Sequence, residues 1–370
     1  MSGKLGILTS ILKTSFTKPP IVKDKVFVMT MDNRFSCNPA AIVKELLVSS
    51  PDLKIVWATD DKIDKSEFPS SVKLVQRGSL EMFEEMRSSH VWLDNGLNCV
   101  WFFYPKRKGQ VYINTWHGSL GIKRLSGNFM WKMRAGTCKK KTDYCITNST
   151  FEEDVFTSTF WKGVDYLKFG HARNAVLFKE ELFESVAISV KEKLGLPSDR
   201  KLILYAPTFR DDGSKIEMPD YKALTAALSS KFGGEWTVLV RYHFKDGISS
   251  DTEASVDVSR FPDIRELMIA SDIALTDYSS WIYDYVLLKR PGFIYAPDIS
   301  KYESSRGFYY PLTETPFPIA SSTDELISNI GGFDEADYQV KAAKFLEARG
   351  CYEAPDSDKK AAQFISDLCT

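Results

Sequence analysis

Two doubly wound α/β domains are predicted by three features of the sequence. Its 370 residues exceed one ordinary domain and suit two of average size. Short apolar runs alternate with segments of helical spacing along the chain, the pattern of parallel sheets covered on both faces. One strong break, Leu194-Gly-Leu-Pro-Ser-Asp-Arg200, ends a helix in Gly and Pro before a new strand begins. The expected domains are therefore 1–195 and 196–370, the last helix being free to pack back on the first. Hydrophobic residues make up 44% of the chain and aromatic residues 13%, enough to bury two cores.

Short runs rich in Val, Ile and aromatic residues mark the strands. In the first half they fall at 25–30, 54–58, 72–76, 91–94, 111–115 and 144–147, and in the second at 201–206, 236–242, 273–276 and 292–295. Helical spacing appears at 39–48, 80–88, 180–194, 221–232, 264–270 and 280–288. Doubly wound sheets bind ligands at the carboxyl ends of their strands, so a cleft shared by the two domains is expected. The chemically notable segments fall where that rule wants them. His117 follows the strand at 111–115, Thr208-Phe209-Arg210 follows 201–206, His243 follows 236–242, and Asp277 to Ser280 follow 273–276.

Charge divides the chain. Residues 1–185 carry 27 Lys and Arg against 20 Asp and Glu, whereas 186–370 carry 21 against 29, although the formal net charge is only -1. Ten of the cations lie between Tyr104 and Thr142, a stretch with no Asp or Glu, and Thr115-Trp116-His117-Gly118 sits inside it. A basic half of this kind suits phosphates or an anionic membrane. The six cysteines form no CxxC pair and read as reduced thiols, and the scarcity of histidine argues against structural zinc. No apolar run is long enough for a transmembrane helix. The first sixteen residues lack the apolar core of a signal peptide. They suit a solvated helix, or an amphipathic segment on a membrane surface.

Four groups carry candidate chemistry. Asp277-Tyr278-Ser279-Ser280 leads from a strand into a helix whose free N–H groups and adjacent hydroxyls suit a phosphate; plain N-capping by Ser279 or Ser280 explains the same residues. Arg241-Tyr242-His243 puts two cationic donors on one side of a strand end, a clamp for a diphosphate or simply a satisfied histidine. Arg306-Gly307-Phe308 offers an arginine that reaches a phosphate or pairs with a surface carboxylate, and Asp277 and Asp284 are candidates to hold such cations. Asp356-Ser357-Asp358 reads as solvated surface, not a metal site. Neither GxxxxGK[ST] nor GxGxxG occurs, so ATP-type and nicotinamide-type sites are not expected. Without a carboxylate pair for Mg²⁺, charge on a transferring phosphate must be met by cations and a helix N-terminus. His117, Arg241, His243, Ser279, Ser280 and Arg306 would divide those roles.

These strings resemble, in order, the CDP-glycerol glycerophosphotransferase family, which builds teichoic acids and related capsular polymers. The resemblance covers about residues 110–310. It rests on Asn114-Thr-Trp-His-Gly118 with Lys123, Gly170-His-Ala-Arg-Asn174, Tyr205-Ala-Pro-Thr-Phe-Arg-Asp211, Arg241-Tyr-His243 and Phe261-Pro-Asp-Ile264. It continues through Leu275-Thr-Asp-Tyr-Ser-Ser-Trp-Ile-Tyr-Asp-Tyr-Val286, Lys289-Arg-Pro291 and Arg306-Gly-Phe308. It implies a GT-B-type fold and transfer of glycerol phosphate from CDP-glycerol to a hydroxyl of a lipid-diphosphate-linked glycan, releasing CMP. By the same likeness His117 is the general base, with His243 as a second catalytic residue, and no metal or other cofactor is needed. Arg210, Arg241, Asp277, Ser279, Ser280 and Arg306 would bind the donor, with Asp263 and Ile264 near the cytosine. Lys123, Arg124, Lys132 and Arg134 would face the acceptor and the cytoplasmic side of the membrane, and no nucleic acid partner is expected. The chain departs from the family's Pro-Arg-Asn-Asp at Ala172-Arg173-Asn174-Ala175, which removes an acid at 175. Its length suits a priming enzyme or a compact polymerase. The rival readings are a CDP-ribitol enzyme, a sugar-nucleotide glycosyltransferase, and a non-catalytic module that binds membrane or polymer.

Overall fold

The computed structural model describes residues 10, 13–14, 18–98, 105–119, 121–125, 129–159, 161–208, 210, 213–214, 216–242, 252 and 254–370, apart from the side chains of 305 and 306. The chain divides into two compact units. The first comprises Met1–His117, Gly127–Ala175 and Gly350–Thr370; the second comprises Gly118–Ser126 and Val176–Arg349.

In the first unit seven strands, β1 (Val22–Met29), β2 (Lys54–Thr59), β3 (Lys73–Gln76), β4 (Ser89–Asp94), β5 (Val111–Asn114), β6 (Tyr144–Ile146) and β7 (Asp165–Leu167), form one sheet in the order β3-β2-β1-β4-β5-β6-β7. Every pairing is parallel. The order reverses between β1 and β4, which is where a doubly wound sheet opens its crevice. Met29 stands opposite Asp94, and Asp94 opposite Asn114, so Thr30, Asn95 and Thr115 leave the sheet side by side.

Val26, Val28, Ile55, Trp57, Val91, Leu93 and Ile113 are buried at the centre of this sheet's core. Each such side chain contributes about 1.5–3 kcal/mol on leaving water. The C-terminal helix Ser357–Cys369 adds Ala361, Ala362, Ile365 and Cys369 to the same core, a helical stripe that packs on helix Cys37–Ser49. Ser357 and Asp358 are consequently buried at its start, where the Asp-Ser-Asp string suggested solvated surface.

The second unit holds six strands, β8 (Lys201–Tyr205), β9 (Trp236–Val240), β10 (Ser255–Asp257), β11 (Ile273–Thr276), β12 (Gly292–Tyr295) and β13 (Ile319–Ala320), in the order β10-β9-β8-β11-β12-β13. These too pair in parallel. The reversal lies between β8 and β11, whose carboxyl ends lead to Arg210 and Asp277.

The change of unit at Ala175 comes earlier than the Gly-Pro break at 194–200 suggests. Helix Phe183–Lys193 packs on helix Ile264–Ala270 of the second unit, so it belongs there although the break follows it. Gly118–Ser126 also belongs to the second unit. Lys123 bridges Phe308, the Tyr309 N–H donates to Ile122 O at 2.8 Å, and the Arg124 N–H donates to Gly307 O at 3.1 Å.

Candidate active site

In the first unit the Trp116–His117 turn is held from several sides. The Thr115 N–H donates to Asp94 O at 2.8 Å, and the Trp116 N–H donates to Asn114 Oδ1 at 2.8 Å. Asn38 Nδ2 donates to Thr115 O at 2.9 Å, and Arg173 Nη1 donates to His117 O. Trp116 is in the left-handed region at φ 53°, a conformation that costs a non-glycine residue about 1–3 kcal/mol and persists only where its surroundings impose it. The Trp116 indole packs edge-on against Phe156 and Trp161, and its ring lies 4.3 Å from that of His117.

The buried Asp94 carboxylate accepts from the N–H groups of Gly96 and Asn98, from Asn98 Nδ2 and from the Tyr112 hydroxyl. This shapes the turn that presents Asn95. His117 Nδ1 lies 2.8 Å from Asn95 O. A carbonyl only accepts, so Nδ1 carries the proton and Nε2 the lone pair. Burial pushes the His117 pKa down from 6.5 to about 4, and Arg173 adds to the effect, against the opposing hydrogen bond to Asn95. The ring is therefore neutral at neutral pH, with its basic nitrogen defined by the fold.

In the second unit Arg210 and Asp277 form one buried assembly. Arg210 Nη1 donates to Asp277 Oδ2 at 2.8 Å, while Nε and Nη2 fork onto Asp298 at 2.7 and 3.0 Å. The guanidinium carbon lies 5.2 Å from the ring centres of both Tyr278 and Tyr302. Asp277 Oδ1 accepts from the Thr208 N–H at 2.8 Å, which ties the ends of β8 and β11 together. Arg210 was expected to bind donor; its guanidinium is engaged by two carboxylates and the Thr208 carbonyl, which makes it a brace for the loops.

The other expected site residues sit as follows. Ser280 precedes the short helix Trp281–Tyr285 and makes no side-chain capping bond, and Ser279 and Ser280 are both half-buried. Arg241 leaves β9 beside Tyr205, with Nη1 donating to Phe261 O at 2.7 Å and Val258 O at 3.2 Å. Asp263 caps helix Ile264–Ala270 through the Arg265 N–H and pairs with the Arg265 guanidinium at 2.7 Å. Asp284 accepts from the Ser119 hydroxyl. His243 and the side chain of Arg306 lie outside the described residues.

The basic stretch separates into parts. Lys106 pairs with Asp143, and Arg107 donates to Pro19 O at 2.6 Å, so both secure the approach to β5. Arg124 Nε donates to Phe308 O at 2.8 Å, which joins it and Lys123 to the loop after helix Ile299–Arg306. Helix Phe129–Lys141 carries five more, Lys132, Arg134, Lys139, Lys140 and Lys141. Ala135 and Cys138 face inward, whereas Phe129, Met130 and Met133 are 73%, 54% and 43% exposed. Phe129, Met133, Gly136 and Lys140 share the outer face by helical spacing, flanked by Lys132 and Lys139 on one side and Arg134 and Lys141 on the other. Arg134 Nη2 also donates to Leu97 O at 2.8 Å. No described helix is long and apolar enough to cross a membrane.

Asn38, Asn95 and Arg173 were not singled out from sequence. Asn95 follows the end of β4 and was reachable by the strand-end rule; Arg173 stood in the Gly-His-Ala-Arg-Asn string without a role.

Two doubly wound parallel-sheet α/β units form a GT-B-like fold. The model of the family described as CDP-Glycerol:Poly(glycerophosphate) glycerophosphotransferase matches residues 11–368, and the chain belongs to this family. It is 31% identical over 369 residues to the teichoic acid poly(glycerol phosphate) polymerase of Staphylococcus epidermidis, an alignment covering 94% of this chain and 50% of that one. It is 31% identical over 363 residues to the protein of the same description from Bacillus spizizenii, covering 91% and 90%. The chain thus spans about half the length of the Staphylococcus relative. A structure of the wall teichoic acid polymerase TagF, a histidine-to-alanine variant, superposes with TM-score 0.85 at 26% identity, covering 98% of this chain and 94% of that one. The same protein as a histidine-to-asparagine variant soaked with CDPG superposes with TM-score 0.82 at 26% identity, covering 98% and 93%.

Proposed function

We propose that this chain transfers glycerol phosphate from CDP-glycerol to a hydroxyl of a lipid-diphosphate-linked glycan at the cytoplasmic face of the membrane. The observation that carries this reading is the His117 tautomer, which leaves Nε2 unprotonated and oriented. Nε2 takes the acceptor's hydroxyl proton as the oxygen attacks the glycerol-bearing phosphorus. The phosphoanhydride bond breaks and CMP leaves, its charge met by Arg241, His243, Arg306 and the Ser279 and Ser280 hydroxyls. Arg210 and Asp277 hold the loop that carries Ser279 and Ser280. The family supports the donor class, and the relative soaked with CDPG supports it again. The direct test incubates the protein with CDP-glycerol or CDP-ribitol and a lipid-linked disaccharide, then weighs the products. An added glycerol phosphate with release of CMP is expected. Addition from CDP-ribitol alone would change the donor, and consumption of neither donor would reject the reading.

Helix Phe129–Lys141 is proposed as the membrane contact, its exposed Phe129, Met130 and Met133 entering the interface while the flanking cations meet anionic headgroups. At about 1 kcal/mol per cation, Lys139→Gln with Lys140→Gln is expected to weaken binding to phosphatidylglycerol vesicles by roughly 30-fold in co-sedimentation. Unchanged binding by this double variant would remove the helix from the membrane contact.

A further inference from the structure

The strongest unassigned cluster lies in the first unit, after β7. His171 is fully buried there. Its Nε2 lies 3.2 Å from Glu152 Oε2 and its Nδ1 3.7 Å from Glu353 Oε1. Although burial opposes it, the two carboxylates hold the His171 pKa above its usual value. Glu353 comes from the C-terminal segment and also accepts from the His171 N–H at 3.0 Å, from Asn174 Nδ2 at 2.9 Å and from Asn148 Nδ2 at 3.2 Å. Gly170 lets the two segments approach this closely. At φ +81° it sits in the left-handed region, and a Cβ there would meet Ser357 Oγ at 2.5 Å and Glu353 Cα at 3.0 Å.

Between His171 and Asn174 stands Arg173. Its N–H donates to Asn38 Oδ1 at 3.1 Å, and Nη1 donates to the main-chain oxygen of His117. Asn38 in turn holds Thr115 O, so one polar relay runs from the buried carboxylates through the loop to the backbone on both sides of Trp116. Trp116 gives that relay its purpose. A non-glycine residue at φ 53° springs back unless its neighbours are restrained, and a shift there would swing the His117 ring off Asn95.

We infer that Arg173 is a positioning residue for His117, locked by the buried His171–Glu152–Glu353 cluster, and that the segment starting at Gly350 is thereby a working part of the active site. The inference rests on His117 acting as the base. Arg173 touches the histidine's backbone and not the reacting atoms, so its loss acts on kcat by misplacing the base, at roughly 10²-fold for an ångström-scale shift. Its charge acts as well. Among the described residues, the charged groups acting on the imidazole are Arg173, Asp94 and His171, with the Cys37 thiol against the His117 main-chain oxygen, and of these Arg173 and His171 oppose protonation.

The test uses the full chain with CDP-glycerol and the lipid-linked acceptor. Arg173→Ala is expected to lower kcat by roughly 10²-fold with KM unchanged for both substrates, and to move the acid limb of kcat/KM to higher pH. Arg173→Lys keeps the charge without the fork, so the limb is expected to stay in place while kcat recovers only in part. Glu353→Gln is expected to lower kcat without altering KM. In protein labelled with ¹⁵N-histidine, the Nδ1–H signature of His117 is expected to weaken in Arg173→Ala and Glu353→Gln, a readout independent of turnover.

Unchanged kcat with an intact His117 signature in these variants would overturn the inference. So would a rise in KM for CDP-glycerol at constant kcat, which would make Arg173 a phosphate contact. If Arg173→Ala fails to fold, Arg173→Lys and Glu353→Gln decide the matter by the same measures. The double variant His117→Ala/Arg173→Ala separates the two readings. If the pair is no slower than His117→Ala alone, Arg173 works through His117. Near-normal transfer by His117→Ala alone would instead remove the base.

Discussion

Replacing His117 with alanine is expected to lower transfer from CDP-glycerol by roughly 10²–10⁴-fold, the usual cost of losing a positioned general base. KM for the donor should change little, because the donor's phosphates are assigned to residues of the second unit. The pH dependence tests the same group differently. With its pKa pushed down to about 4, His117 is unprotonated through the neutral range, so the acid limb of kcat/KM is expected near pH 4 and not near 6.5. A bound anionic donor stabilises the imidazolium, so the limb of kcat should lie at higher pH than that of kcat/KM. The limb should vanish in His117→Ala. The same shift has a sign for stability. Because folded His117 protonates less readily than unfolded histidine, its contribution is present above about 6.5 and is lost as the pH falls through about 4. His117→Ala with near-normal turnover would dismiss the base, and a limb that persists in this variant would belong to another group.

The sheets were legible because their central strands are short apolar runs bracketed by helices, as in Val26–Met29 and Leu202–Tyr205. The strands not foreseen, β7, β10 and β13, have three, three and two residues and lie at sheet edges, too short for any period to register. Helix Phe129–Lys141 escaped notice for another reason: Phe129, Met130 and Met133 are exposed and only Ala135 and Cys138 are buried, so it shows no amphipathic period. Strand-end placement picked out His117 and Asp277 correctly as positions, since register alone puts them at the carboxyl ends. What holds them was not legible. Asn95 orients His117 with a backbone oxygen, which no side-chain motif reveals. Glu353 reaches His171 from the far end of the chain, and only folding brings those segments together. The carboxylates around Arg210 were hidden for a related reason. An arginine after a strand looks like a phosphate ligand until the structure puts two carboxylates against it.

Arg210→Met is expected to destabilise the second unit by about 3–5 kcal/mol, the range for removing one partner of a buried ion pair. Asp277 is 2% exposed and, among the described residues, would keep the N–H donors of Thr208 and Tyr278 alone. Asp298 is half-exposed and can turn to water, so the cost falls mainly on Asp277. Methionine keeps apolar bulk between Tyr278 and Tyr302, so packing accounts for little of the loss. Asp298→Asn should cost much less, because that partner remains solvated. Denaturant unfolding followed by peptide-resolved hydrogen exchange separates the units, with faster exchange expected in β8 and β11 and none of the change in β4 or β5. A loss below about 1 kcal/mol would mean that the pair is not structural. Normal stability with lost CDP-glycerol binding would return Arg210 to the donor site. The expected result, a destabilised β8–β11 junction, would make weakened donor binding a consequence of displaced Thr208 and Tyr278 loops, so that suppression by a ligand-independent stabilising change elsewhere in the unit should restore binding along with the fold.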